Sequence, residues 1–77
     1  MENWQQHITI DPEVMLGKPC IKGTRITVEL ILEKLGAGES AADLVEDYPH
    51  ITNEDILACL TFASTSVRNE IVLPSLV

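Results

Sequence analysis

The fold is set by residues 27–67, which read TVELILEKLGAGESAADLVEDYPHITNEDILACLTFASTSV. Apolar residues recur in this stretch with the three- and four-residue spacing of one helical face. The pattern starts three times, and each start follows a residue that caps helices well: Thr27, Ser40 and Thr52. Glycines end the first repeat and a proline ends the second. We therefore predict three successive helices within residues 28–67.

The apolar faces of these helices supply the predicted core. They consist of Val28, Ile31, Leu32 and Leu35 in the first helix, Ala41, Leu44, Val45 and Tyr48 in the second, and Ile56, Cys59, Leu60, Ala63 and Val67 in the third. Cys59 is then a small core residue, and Cys20 packs from a short strand. The two cysteines lie too far apart in the chain to indicate a disulfide framework or a zinc cluster.

Residues 7–27 carry a different pattern, that of short strands and turns. His7 to Ile10 is alternating and β-branched, which predicts a strand. Lys22-Gly23-Thr24 lies between two β-prone segments, which predicts a tight turn. We predict one mainly α domain over residues 1–77, with a short N-terminal β-hairpin arm at 7–27, a three-helix bundle at 28–67 and an apolar C-terminal tail at 68–77.

Charge is distributed unevenly along the chain. Twelve acidic and five basic residues give a net charge of −7, which excludes a generally basic nucleic-acid-binding surface. Residues 1–28 are neutral, with three acids and three bases, so the acidity belongs to the helical part. No apolar run approaches the ~18 residues of a membrane span, and no signal peptide is recognised. We therefore expect a soluble, cytoplasmic protein without membrane contact.

The residue pattern gives little support to an enzyme. The two histidines and two cysteines form no recognisable pair of nucleophile and base. Glu46, Asp47 and Glu54 flank His50, but the intervening proline breaks the spacing that would aim them at one metal ion. No glycine-rich phosphate loop occurs. We predict no catalytic residue, no metal ligand and no cofactor.

An ion pair is predicted between the arm and the second helix. Glu46 and Asp47 end that helix, where negative charge opposes the helix dipole, so a cation is expected beside them. Arg25 is the predicted partner. If it is unpaired, Arg25 is available to a phosphate or another ligand.

Residues 40–67 have the outline of a helix-turn-helix, a motif whose second helix enters the DNA major groove. Candidate DNA contacts are basic, amide and hydroxyl side chains: Lys18, Lys22, Arg25, Asn53, Thr61, Thr65 and Arg68. The outward face of the third helix is predicted to consist of Asn53, Glu54, Leu57, Ala58, Thr61, Ser64, Thr65 and Arg68. It carries one base and one acid, whereas affinity for DNA depends on several cations. The pattern therefore leaves open whether this helix reads DNA or faces a dimer mate.

Apolar residues are the candidates for contact with a partner or a second copy. They are Leu57, Phe62, Ile71, Val72, Leu73, Leu76 and Val77. An exposed apolar tail on an acidic domain usually pairs with something. Packing on its own domain and packing on a partner are equally consistent with the sequence.

Two stretches carry a family resemblance. The first is GKPCIKGTRI at 17–26, preceded by ITIDPE at 8–13, and the second is Asp47-Tyr48-Pro49 with Thr52 and Asp55-Ile56. Together they resemble the signature of the domain of unknown function 433 proteins.

The resemblance implies a small winged or homeodomain-like helix-turn-helix domain, commonly dimeric. For some members it implies the antitoxin of a type II toxin–antitoxin pair, which binds a PIN-like ribonuclease and its own operator DNA. It supplies no catalytic residues. We therefore expect a non-enzymatic antitoxin or, alternatively, a dimeric protein-interaction module that does not bind DNA.

Overall fold

Three helices follow a short two-stranded sheet in the computed structural model, which describes residues 3–69. The elements are β1 (Ile8–Thr9), β2 (Cys20–Ile21), α1 (Val28–Gly36), α2 (Ala41–Asp47) and α3 (Asn53–Asn69), with single 3-10 turns at Trp4–Gln6 and Met15–Gly17. The fold is thus mostly helical, and the three predicted helices are confirmed. None of the helices within residues 3–69 has both the length and the apolar content that a membrane crossing requires.

Each helix begins at the predicted capping residue. The Thr27 hydroxyl accepts a hydrogen bond from the backbone of the third residue of α1 at 3.0 Å. Ser40 and Asp43 form a reciprocal capping box at the start of α2, with bonds of 3.0 and 3.1 Å. Thr52 and Asp55 do the same for α3, at 3.2 and 2.9 Å. Each cap satisfies backbone N–H groups that have no partner within the helix and contributes about 1 kcal/mol.

The predicted β arm is confirmed, with β1 as the partner of β2. The two strands pair antiparallel, so that Ile8 lies opposite Ile21 and Thr9 opposite Cys20. The tight turn is also present, because the Thr24 N–H donates to the Ile21 carbonyl at 3.0 Å. The segment after the turn adds one bridge, between Cys20 and Thr27. It leaves the sheet there because Thr27 also caps α1.

The core draws one or more side chains from every regular element. Its buried members include Ile8 and Ile21 from the sheet and Ile31, Leu44 and Ile56 from the three helices. Cys20 and Cys59 are buried as predicted. Because the sheet and the helices share this core, the positions of the arm and of α3 are fixed relative to each other.

The buried face of α3 differs from the predicted one. Ile56 and Cys59 are buried as expected, but Ala58, predicted to point outward, is 1% exposed. Leu60 and Val67, predicted to be core residues, are 44% and 64% exposed. The reason is that α3 packs against the Trp4–Gln6 turn and β1 as well as against α1 and α2. These contacts rotate the buried face away from the position that helical periodicity alone indicates.

Candidate interaction surfaces

The turn at Lys22–Arg25, called the basic turn below, is a rigid platform for two cations. The Thr24 hydroxyl donates to the Ile21 carbonyl at 2.7 Å and accepts from the Ile26 N–H at 3.0 Å. The Lys22 N–H donates to the His7 carbonyl at 2.7 Å. These bonds tie both ends of the turn to the sheet, so the Lys22 and Arg25 side chains project from a fixed backbone.

Open clefts flank the basic turn on two sides. One, of about 460 Å³, is completed by Thr9, Asp11 and Val14. The other, of about 510 Å³, is completed by Ile26 and His50, which brings the turn between α2 and α3 next to the cations. No local pattern indicates this approach of His50, because 25 residues separate it from Arg25.

The predicted ion pair of Arg25 is wrong. The ion pairs within residues 3–69 join Lys18 to Glu29 at 3.3 Å, Lys34 to Glu39 at 3.5 Å and His7 to Asp55. Arg25 shares no such contact with Glu46 or Asp47, and both carboxylates are exposed. Arg25 instead borders a third cleft beside Lys18 and the start of α1. Among the described residues, Lys22 and Arg25 therefore carry charge that no carboxylate neutralises at contact distance.

The candidate DNA contacts divide into two groups. Lys18, Lys22 and Arg25 surround the basic turn, and none of its three clefts includes a residue of α3. On α3, Asn53 and Arg68 are exposed, whereas Thr61 and Thr65 are half-buried. The structure thus places Arg25 in one cleft with Lys18 and in two clefts with Lys22, but it places none of these cations in one cleft with the α3 residues.

The outer face of α3 is an apolar stripe, defined here by Asn53, Leu57, Leu60, Ser64 and Val67. Leu57 is 51% exposed, similar to Leu60 and less than Val67. Leu57 and Leu60 line a shallow depression with Thr61 and Ser64. This is the face that a recognition helix would present to DNA, and its two large central side chains are leucines.

A second apolar surface lies between α1 and α3. This α1–α3 cleft, of about 280 Å³, is lined mainly by apolar residues, with Glu29 and Ser66 at its edge; the apolar ones are Pro19, Val28, Leu32, Phe62, Ala63 and Val67. The Phe62 ring, predicted to contact a partner, is half-buried. It packs edge-to-face on Trp4, with 4.8 Å between the ring centroids. Phe62 therefore lines the cleft and is separate from the outer face of α3. The other predicted partner contacts, Ile71, Val72, Leu73, Leu76 and Val77, lie outside the described residues.

One contact that the sequence did not reveal links the arm to α3. His7 Nδ1 donates to Asp55 Oδ1 at 2.8 Å, while Asp55 Oδ2 accepts from the Thr52 N–H. Asp55 was predicted only as a cap. Since 48 residues separate it from His7, no local pattern could indicate the pairing.

The two cysteines lack the features of activated nucleophiles. Burial, reinforced by the negative charge of Asp55, raises the pKa of Cys59 to about 12. Burial also raises the pKa of Cys20. Both side chains are therefore neutral thiols at pH 7 and behave as small core residues.

The fold and these surfaces define a small three-helix domain with a β arm and two apolar surfaces. The chain matches the family described as "Protein of unknown function (DUF433)" over residues 8–63. This protein therefore belongs to the DUF433 family. No curated protein matches the chain.

A solved structure with a similar fold comes from the same family. It is the crystal structure of a DUF433 member protein from Anabaena variabilis, with a TM-score of 0.78 and 30% sequence identity. The similarity covers 83% of this chain and 63% of that one, so the present chain spans less than two thirds of that protein's length.

Proposed function

We propose that this protein is a non-enzymatic partner-binding module that acts as the antitoxin of a type II toxin–antitoxin pair. The observation that carries the proposal is the α1–α3 cleft, a mainly apolar depression on a chain with a net charge of −7. An apolar cleft surrounded by polar surface is typical of sites that receive an anchoring side chain from a partner. The burial of Cys20 and Cys59 is consistent with a function that needs no catalytic thiol.

The chemistry of the surface favours a basic partner. The cleft lies between two helices of the part of the chain that holds the whole excess of negative charge. A PIN-like ribonuclease, which needs positive charge to hold RNA, would be attracted by this field. The net charge would then increase the association rate, and the cleft would supply the apolar contact that slows dissociation.

Co-purification with the product of the neighbouring gene tests the proposal. Ser66→Arg places a long charged side chain in the α1–α3 cleft, and we expect it to weaken toxin binding by about tenfold or more, which corresponds to about 1.4 kcal/mol. Ser64→Arg is the matched control, because Ser64 lies on the same helix and is exposed but does not line the cleft. Equal toxin binding by both variants would contradict the role of the cleft, and no capture of any toxin would contradict the function.

Binding to the operator is proposed through the basic turn. The supporting observation is that Lys22 and Arg25 have no carboxylate partner among the described residues and flank the same clefts. Such cations contact phosphates and position a protein on DNA without reading its sequence.

A mobility shift on the protein's own promoter tests this contact. We expect Lys22→Ala to weaken the shift several-fold. Lys34→Ala should leave it unchanged, because Lys34 pairs with Glu39 although its loss alters the net charge equally. Equal behaviour of the two variants would show that only the net charge matters. An absence of any mobility shift at low salt would contradict the proposed binding of operator DNA.

The alternative function is a dimeric protein-interaction module that does not bind DNA. The observation that favours it is the outer face of α3, which is apolar at Leu57 and Leu60 where a recognition helix would carry polar and basic side chains. A dimer in sedimentation experiments, without any promoter shift, would support this alternative.

A further inference from the structure

We infer that the outer face of α3 pairs with α3 of a second copy in antiparallel orientation, with Glu54 of each chain beside Arg68 of the other. The inference goes beyond the proposed antitoxin function, and it names the surface and geometry of a self-association that the alternative function also requires. It covers Val67 at the edge of the α1–α3 cleft and leaves the rest of that cleft free for a toxin.

The spacing of the outer face is that of a helix–helix seam. Asn53, Leu57, Leu60, Ser64 and Val67 are separated by four, three, four and three residues, which is the heptad spacing of paired helices. All five are exposed in the single chain. At 1.5 Å per residue, the stripe from Asn53 to Val67 is about 21 Å long, so it offers two heptads of contact.

The charges beside the seam select the antiparallel orientation. Glu54 and Arg68 are both exposed and lie 14 residues apart, two full heptads, so they occupy the same flank of the stripe. Both are equally distant from Thr61. In an antiparallel pair centred near Thr61, two-fold symmetry places Glu54 beside Arg68 of the partner subunit twice. A parallel pair would instead set this flank against the opposite flank of the partner helix, so that Glu54 would not meet Arg68 of the partner subunit.

A register centred within one residue of this position also matches the sizes of the seam residues. Leu57 lies opposite Val67 of the partner subunit, and Leu60 lies opposite Ser64 of the partner subunit. Each large side chain therefore meets a smaller one, and the two-fold axis passes near the small Thr61. Such an arrangement lets helices approach to the 8–10 Å that is typical of packed pairs.

The charge of the whole chain also favours a second copy as the occupant. Two chains that each carry a net charge of −7 repel each other. The electrostatic repulsion is smallest when they approach through a surface without net charge. The charges of the outer face and of the flanking Glu54 and Arg68 sum to zero. A strongly basic partner gains nothing from that neutrality and is better matched to the acidic remainder of the helical part.

Pairing in this way has a consequence for nucleic-acid binding. An α3 covered by a second copy cannot enter the major groove. DNA contact would then come from the basic turn, whose clefts include no residue of α3.

Charge reversal and its rescue test the inference. Sedimentation equilibrium is measured for the wild type, Glu54→Arg, Arg68→Glu and the double variant. We expect each single reversal to weaken the dimer by about tenfold through two symmetric repulsions, and the double variant to return to within about threefold of the wild type. Glu46→Arg is the control for changed net charge, because Glu46 is exposed on α2.

A variant that enlarges a side chain within the seam completes the experiment. Ser64→Arg should abolish the dimer, whereas Ser66→Arg should preserve it. A wild type that stays monomeric at millimolar concentration would overturn the inference, and so would a double variant as weak as the singles or a dimer unaffected by Ser64→Arg. Toxin capture by the monomeric Ser64→Arg variant would separate a failure of the dimer from a failure of the antitoxin function.

Discussion

Asp55 connects more of the molecule than any local pattern suggests. One carboxylate oxygen closes the capping box with Thr52, and the other accepts from His7 across the fold. Its charge also disfavours the thiolate of Cys59. The start of α3 is therefore tied to the arm by a single side chain.

Asp55→Ala should destabilise the fold more than the loss of a cap alone. The variant loses the α3 cap and also leaves His7 without its carboxylate, so we expect the free energy of unfolding to fall by about 2–3 kcal/mol. Asp43→Ala removes the equivalent cap of α2 and should cost about 1 kcal/mol. Urea unfolding followed by the fluorescence of Trp4 measures both, and equal losses would contradict the role of the His7 contact.

The raised pKa of Cys59 predicts a loss of stability at alkaline pH. The folded thiol keeps its proton up to about pH 12, whereas the unfolded one releases it above its ordinary value of 9.0. The contribution of the protonated Cys59 thiol to the free energy of unfolding is therefore complete below pH 9. Above pH 9 this contribution declines by about 1.4 kcal/mol per pH unit.

Cys59→Ala is the variant that isolates this effect. Its stability should decline less steeply than that of the wild type between pH 9 and pH 11, measured by urea unfolding under reducing conditions. The comparison concerns slopes, because the small cavity left by the sulfur lowers stability equally at every pH. Parallel curves for the two proteins would contradict the raised pKa.

At the scale of elements, local sequence was a good guide to where each helix and turn begins. Thr27, Ser40 and Thr52 cap the three helices as predicted, because a cap depends on backbone groups only two or three residues away. The turn after Ile21 also follows local chemistry, with Gly23 at a φ of +81°.

Gly23→Ala should destabilise the basic turn through its backbone alone. A Cβ there would meet nothing within 4 Å, so the expected cost of about 1 kcal/mol comes from the left-handed conformation. Gly36→Ala is the control, since Gly36 ends α1 without a positive φ and its Cβ site is also open. That variant should gain about 0.5–1 kcal/mol from better helix propensity. Thermal unfolding measures both variants. A change in melting temperature of the same sign for both would contradict this interpretation.

The orientation of α3 was the element-scale feature that local pattern misjudged. Periodicity predicted Leu60 and Val67 in the core and Ala58 outside, whereas the structure has the reverse. All three positions lie near the boundary between buried and exposed faces. There the neighbours that pack on the helix decide, and one of them is the distant Trp4–Gln6 turn.

At the scale of the whole molecule, the division of charge and apolar surface separates two kinds of association. The acidity of the helical part would draw a basic partner towards the α1–α3 cleft, while the outer face of α3 and its flanks carry no net charge. The two associations should therefore respond differently to salt.

Raising the salt concentration should weaken toxin binding more than dimerisation. Screening at physiological ionic strength acts over about 8 Å, so it reduces long-range attraction between oppositely charged proteins. It also reduces the repulsion between two copies of charge −7, which compensates for any weakening of the Glu54–Arg68 pairs. Stopped-flow association rates with the toxin and sedimentation of the free chain test this. A dimer that weakens with salt as steeply as the toxin complex would contradict it.

By itself, the sequence determined the three helices, their caps, the turn at Gly23 and the excess of acid in the helical part. Each of these depends on residues within one or two turns of each other or on simple counting. Only the tertiary structure decided that His7 reaches Asp55, that His50 lies beside the basic turn and that Leu60 and Val67 face outward. These features depend on which distant segments meet, and that is settled by packing around a shared core rather than by any local preference.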